Sequence, residues 1–458
     1  MARSTLTVLA VASLLAACAV GPDYVAPKID LPAAFVSPAP AATAAVNPDW
    51  WRGFDDPVLN GLIEDALTNS HSLAAARARF EAAQAAAGLA WRGYLLTGGA
   101  QLQGEYGRRS SSDVPAGGGR EVRSAVAGVN AAWEADVVGR VGRTVEAARA
   151  DEQAEESLLR DARRVLTAEV ARTYVALRGT QERLAIAQAS LAAQQGTYSI
   201  VQTKLDVGRG TAFDVARAAA QVASTSAQVP TLTAEVRSHM YRLAALCGKP
   251  PGTYVEQLAV TRHLATPELG GIGEPLELLR RRPDLRAAER RVAAATARIG
   301  IATADLYPRI AVEGAAGWSA PRGSGLGDSA FGFASVLPRI SWAFLDIPRV
   351  KARIQVAGAQ AEEAAAVFRQ QVVEALEETD RALTSYAQYR ERLVHLTRQV
   401  QHAEQAVALA NQRYRDGVSS FLDVLEAERT SLDARDKLVT TQLDASATYV
   451  AVYAALGG

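Results

Sequence analysis

Two carboxylates three residues apart, Asp423 and Glu426, are the side chains of this sequence best placed to do chemistry together. On a helix that spacing puts both on one face, a single turn apart. They follow Tyr414, Gly417, Ser420 and Leu422, and the first half of the chain carries Leu205, Gly208, Thr211 and Asp214 in the same order. Glycine ends a helix cheaply in the left-handed conformation, and S/T-x-x-D opens the next one as a capping box. Each stretch therefore reads as the tip of a helix–turn–helix. An aspartate at the third helical position answers free N–H groups and the positive helix end, which is the main role expected of Asp214. Asp423 and Glu426 differ in lying together on one helical face, so copies related by symmetry would bring several carboxylates together.

Nothing else assembles a reaction site. There is no G-x-S-x-G, P-loop or dinucleotide fingerprint, and Gly117 to Gly119 reads as a loop tip rather than a phosphate cradle. The five histidines show no ligand spacing, and His395 and His402 are too far apart along a helix to share one metal. Arg281-Arg282-Pro283-Asp284 reads as a helix start, with proline at the first position and aspartate in the first turn. The chain is thus read as a non-enzyme with no cofactor. Its 49 basic and 49 acidic residues cancel, so no global field recruits nucleic acid.

The N-terminus carries a different chemistry. Arg3, an apolar run from Leu6 to Ala17, and then Cys18 describe a secretory signal too short to span a bilayer. The last four of these residues, LAAC, resemble the bacterial lipobox, after which the cysteine is acylated. Ala19, rather than aspartate, points to onward transport to the outer membrane. Several acyl chains on Cys18 anchor firmly where one would not. With Cys18 capped, Cys247 has no disulfide partner and reads as a small buried apolar residue.

These features need elements that place them, and the chain supplies the same set twice. Trp133 and Trp342, Arg140 and Arg349, Gly208 and Gly417, and Asp214 and Asp423 all recur at an offset of 209 residues. The helix ends LAALCG and YAALGG match with the offset slipped by one. Such a register indicates an internal duplication. Leu177, Leu184, Leu191, Tyr198 and Leu205 repeat every seven residues, as do Tyr386, Leu393, Val400, Val407 and Tyr414. Val215, Val222, Val229, Val236 and Leu243 do the same on the return path, so helices pack side by side with a left-handed supercoil. A continuous helix from Arg140 to Asp206 would be about 100 Å long. Pro230 is expected to kink or break the return helix.

Between the helices the period changes to two. Ala100, Leu102 and Tyr106 alternate with Gln101, Gln103 and Glu105. Ala125, Ala127, Val129, Ala131 and Trp133 alternate with a set that includes Ser124, Asn130 and Glu134. Ile310, Val312, Ala316 and Trp318 follow in the second half, then Ile340, Trp342 and Phe344 after a start at Phe331. One apolar and one polar face is the mark of a barrel strand, although short runs alone would also suit hairpins of a soluble domain. Pro338 implies a bulge or a strand boundary. Since no long apolar run follows the signal, any membrane crossing must use strands. Four strands cannot close a barrel, so copies must combine in a number that spacing alone leaves open.

LAAC followed by VGPDY, DWWRGFDDPVLNGLI from Asp49, WEADVVGR from Trp133, RRPDLRAAE from Arg281, LYPRI from Leu306 and YRDGVSSFLDVLEAER from Tyr414 occur in this order. With them the chain resembles the TolC-like outer-membrane efflux proteins, lipoprotein branch, over essentially its whole mature length. The resemblance implies an internally duplicated α+β membrane protein. Its four strands per protomer would share a 12-stranded trimeric β-barrel, continued by a long periplasmic α-helical coiled-coil barrel. The expected organisation is a signal peptide at 1–17 and a lipid-anchored segment at 18–56. A first repeat follows at 57–248, with a hairpin at about 95–136 and long helices at 140–206 and 211–247. A central, equatorial segment occupies 249–283. The second repeat, 284–458, has a hairpin at about 307–344 and long helices at 349–416 and 420–456.

The resemblance also implies partners and roles. A homotrimer in outer-membrane lipid would meet a periplasmic adaptor and a proton-driven inner-membrane pump, and would act as exit duct for drugs or other small solutes. Asp423 and Glu426 match the cation-attracting ring of the periplasmic gate, Leu422 an apolar constriction, and Tyr414 a tyrosine that holds the tip closed. Ser419 stands where some members carry a latch arginine, so closure must rest on something else. Two alternatives remain: the channel of a type I protein secretion system, and a structural coiled-coil periplasmic lipoprotein.

Overall fold

The computed structural model describes residues 19–37, 47–110, 112, 120–321 and 325–458. Cys18 and the loop tip at Gly117 to Gly119 lie outside them. In chain order the elements are α1 (Pro57–Asn69), α2 (His71–Trp91), β1 (Thr97–Arg108), β2 (Glu121–Ala135), α3 (Arg140–Asp206), α4 (Ala212–Leu246), α5 (Val255–Ala259) and α6 (Pro275–Arg281). They continue with α7 (Pro283–Ala304), β3 (Arg309–Ala320), β4 (Gly332–Ser341), α8 (Ile347–Arg415) and α9 (Phe421–Ala455). No helix among the described residues is long and apolar enough to cross a membrane. Two compact units result: residues 1–28, 79–156 and 287–369, and residues 29–78, 157–286 and 370–458.

The first unit holds one antiparallel sheet in the order β1-β2-β3-β4, so β1 and β4 each have an unpaired edge. Its register decides which side chains share a face. Ala100 pairs with Val129, Val129 with Ala316 and Ala316 with Ala334. Leu102, Ala127 and Trp318 form a parallel row, as do Trp133, Val312 and Pro338. Alternation therefore gathers most of the apolar residues singled out in the strands on one face, while Val126, Phe333 and Leu337 fall on the other. The other face carries Gln101, Gln103, Asn130, Glu134, Glu313, Ser335 and Arg339, with Arg339 and Glu313 paired at 3.0 Å.

Two details of the sheet depart from the sequence reading. Pro338 causes no bulge, because its pairing with Val312 continues an unbroken register. It sits in the edge strand, where a missing N–H costs no ladder bond if it faces the open side. The strand also stops at Ser341, short of Trp342 and Phe344. There the Asp346 N–H donates to the Ala343 carbonyl at 2.9 Å, turning the chain into α8. Trp342 instead donates its indole N–H to the Leu306 carbonyl, as Trp133 does to that of Tyr94, both at 3.0 Å.

The second unit packs an aromatic cluster and two buried arginines. Trp50, 1% exposed, stacks on Tyr453 at 5.7 Å, and the Tyr449 hydroxyl donates to the Trp50 carbonyl. Arg178, also 1% exposed, donates to the Gln181 side chain, the Val260 carbonyl and the Tyr174 hydroxyl. Arg282 pairs with Asp284 at 2.7 Å and Glu378 at 2.8 Å and donates to the Ala455 carbonyl, so the RRPD stretch is structural. None of the heptad residues is exposed; Leu177, Tyr386, Val236 and Leu243 are buried and the rest half-buried. Pro230 does not break α4, which runs through it. One missing backbone bond near the middle of a 35-residue helix is tolerated when the helix is held along a buried seam.

Candidate functional site at the helical tips

The second unit contains both helix–turn–helix tips, and they repeat atom for atom where backbone chemistry demands it. The Gly208 N–H donates to the Leu205 carbonyl and Arg209 to Lys204, at 2.9 and 2.8 Å. The Gly417 N–H donates to Tyr414 and Val418 to Arg413, at 3.2 and 2.9 Å. These bonds require a left-handed residue at each glycine, and their φ values are +73° and +75°.

The outgoing helices begin with reciprocal caps. The Asp214 N–H donates to Thr211 Oγ1 at 3.1 Å, and that hydroxyl donates to Asp214 Oδ2 at 2.7 Å. At the second tip the Ser420 N–H and hydroxyl donate to Asp423 Oδ2 at 3.0 and 3.1 Å. Asp423 is therefore a cap as much as Asp214 is, and the division of roles drawn from sequence is too sharp. The bonds found use Oδ2 alone. Glu426, one turn further, pairs with Arg429 at 3.0 Å, with both side chains mostly exposed.

Between the tips lies a small apolar core. Phe421 and Val424 from α9 are buried with Val201 from α3 and Ala218 from α4, flanked by Tyr198, Val215 and Tyr414. The Tyr414 ring is tilted against Phe421 at 5.8 Å. Burial, reinforced by the negative charge of Asp214, pushes the Tyr414 phenol above its ordinary pKa. Leu422 is 49% exposed, and Val418 on the same tip and Val207 and Phe213 on the other are exposed too, so the tips carry apolar surface that one chain leaves uncovered.

One residue of this site was not singled out from the sequence. Lys204 sends its ammonium over the Tyr414 ring, 3.6 Å from the centroid, and donates to the Tyr414 carbonyl at 3.0 Å. It ties the end of α3 to the end of α8 by one cation. The Ser419 hydroxyl, enclosed and unpartnered, makes no such tie. The available signal was a basic residue on α3 one position before Leu205, the partner of Tyr414 in the duplication. Above the tips, Gln194, Thr197, Glu404, Glu428 and Arg435 line a groove of about 970 Å³ between α3, α8 and α9. Thr197 donates to Glu428 there at 2.9 Å. Burial raises the Glu428 pKa against that bond. No group of side chains suited to a metal occurs among the described residues.

The fold as a whole is shared with known proteins. Over 96% of its length the chain superimposes on the outer-membrane channel OprN, with a TM-score of 0.87 and 38% identity over 99% of that chain. The open-state MtrE outer membrane channel of Neisseria gonorrhoeae gives 0.83 at 27% identity, over 96% of this chain and 98% of that one. In sequence the chain is 32% identical to the pyoverdine export outer membrane protein OpmQ of Pseudomonas putida, covering 93% of this chain and 92% of that protein. It is 31% identical to nodulation protein T of Rhizobium leguminosarum bv. viciae, covering 97% and 91%. The outer membrane efflux protein model matches twice, at residues 62–249 and 275–458. With two matched copies of one model and a shared TolC-like channel fold, the chain belongs to the outer membrane efflux protein family, whose members are channels rather than enzymes.

Proposed function

We propose that three copies of this chain form the outer-membrane exit duct of a tripartite efflux pump, passively conducting drugs or other small solutes. The observation that carries this reading is the four-stranded sheet, predominantly apolar on one face and carrying the charged and amide side chains on the other, with two unpaired edges. In lipid such edges leave backbone groups unsatisfied at several kcal/mol each, so β4 of one copy must pair with β1 of the next. Three copies of four strands give a 12-stranded barrel, polar inside. Cys18 carries the lipid anchor, and the helices extend into the periplasm towards an adaptor and a proton-driven inner-membrane pump.

The tips form the gate. Asp423, Glu426 and Asp214 supply negative charge at its mouth, Leu422 narrows it, and Tyr414, held by Lys204, keeps it closed. Support comes from the relatives, whose names describe pyoverdine export and toluene efflux by outer membrane proteins. Native mass spectrometry of the detergent-extracted protein tests the assembly. Three chains per particle, each with N-terminal acyl mass, are expected; a folded monomer would overturn the shared barrel.

A further inference from the structure

The peptide that follows Cys18 has a dedicated seat within the first unit. The Val20 N–H donates to the Val138 carbonyl at 3.0 Å, just past the end of β2. Arg143 on α3 is 4% exposed and commits most of its guanidinium to the same peptide. Its Nε donates to the Val20 carbonyl at 3.2 Å. One Nη donates to the Gly21 carbonyl at 3.4 Å and to the Asp23 carboxylate at 2.7 Å. The other Nη holds Glu146 at 2.8 Å, which fixes the group from behind.

Close approach is secured by glycine. A Cβ on Gly21, at φ +90°, would lie 2.4 Å from Gly300 Cα, and one on Gly139, at φ +77°, would lie 2.7 Å from Ala19 Cα. Tyr24 closes the far end by donating its hydroxyl to Glu289 at 2.8 Å and packing on Ala150, Ala293 and Ala294. The internal duplication supplies a control. At the 209-residue offset, Gly139 and Arg143 correspond to Pro348 and Ala352, which offer neither the space nor the donors. Gly139 and Arg143 are therefore not part of the shared repeat design, and the second repeat contributes Gly300 and Glu289 to the seat instead.

We propose that this seat is an anchor register: Arg143, Gly139 and Gly300 hold residues 19–24 so that acylated Cys18 enters the membrane at the base of the sheet. The inference rests on the lipid-anchor reading above. With Ala19 packed on Gly139, the first residue after the anchor cysteine is held beside the end of β2. The register thereby places the acyl chains where the strands must insert. A flexible tether of ten residues in its place would let the anchor wander by about 17 Å.

Two variants of the full-length protein separate the register from simple packing. In Arg143→Gln the Val20 amide should exchange with deuterium at least about tenfold faster, and the urea-resistant membrane-inserted fraction should fall. A ten-residue Gly/Ser insertion between Ala19 and Val20 keeps the contacts of Val20 to Tyr24 with Arg143, Gly300 and Glu289 but frees Ala19 and the anchor. Val20 exchange should then stay slow while the inserted fraction falls as far as in Arg143→Gln. Unchanged Val20 exchange in Arg143→Gln would overturn the seat, and normal membrane insertion of the spacer variant would overturn the register. An N-terminal peptide without acyl mass would instead sink the lipid-anchor reading, and the register with it.

Discussion

Replacing Lys204 with methionine removes one charge from the tip while keeping the stem that packs there. The ammonium makes two contacts, the Tyr414 ring at 3.6 Å and the Tyr414 carbonyl at 3.0 Å. A half-exposed cation–π contact contributes about 0.5–1 kcal/mol, and a charged hydrogen bond about 1.5 kcal/mol at a site partly open to water. Together they stabilise the closed turn by about 2 kcal/mol, or roughly thirtyfold in a local opening equilibrium. The Val418 amide, bonded to the Arg413 carbonyl at 2.9 Å, reports that opening directly. In Lys204→Met its hydrogen exchange should accelerate about ten- to thirtyfold, while the Cys247 amide at the far end of α4 stays at the parent rate. Lys204→Arg should retain most of the protection. A Val418 rate within about twofold of the parent would show that the lysine is a spectator, since that is under 0.5 kcal/mol.

Arg178→Met should cost about 3 kcal/mol, because the Gln181 side chain, the Val260 carbonyl and the Tyr174 hydroxyl lose a buried donor, and urea denaturation of the parent and variant measures it. Alanine at Gly417 and Gly248 separates conformation from space. Both have positive φ, but a Cβ on Gly417 meets nothing whereas one on Gly248 would lie 2.4 Å from the Asn69 carbonyl oxygen. Gly417→Ala should therefore cost about 1–2 kcal/mol from the left-handed backbone alone, and Gly248→Ala clearly more in the same thermal melt. Glu428 gives a pH dependence of defined sign. Its folded pKa is raised by burial, so the folded state binds the proton more tightly, and stability falls as pH rises from about 4.3 through the raised value. Glu428→Gln should abolish that slope and be the more stable form at neutral pH; equal slopes for both proteins would contradict the assignment.

Much of the fold was legible because it is set by local periodicity. Ala100, Leu102, Val129, Trp133, Val312 and Trp318 alternate in sequence, and the sheet register puts them on one face. Gly208 and Gly417 announce left-handed turns that any chain path would need there. The family followed from ordered motifs and is upheld by the double match to its model. What escaped reading depends on tertiary placement. Pro338 looks disruptive until β4 is known to be an edge strand, and Pro230 until α4 is seen held along its seam. Asp423 and Asp214 carry the same capping signal, yet only coordinates show that both use it. Lys204 and Arg143 are single basic residues among 49, and nothing in their spacing tells which helix end or which peptide they hold.

The central claim is a channel closed at an acid-lined tip, and planar-bilayer conductance tests it most directly. The pair to compare is the native protein and Asp423→Asn plus Glu426→Gln, which neutralises both charges while leaving an acceptor for the Ser420 N–H. A small cation-preferring current that grows, or loses its preference, in the variant is the expected result. Silence from both proteins as assembled trimers would contradict the claim, as would identical currents with identical selectivity.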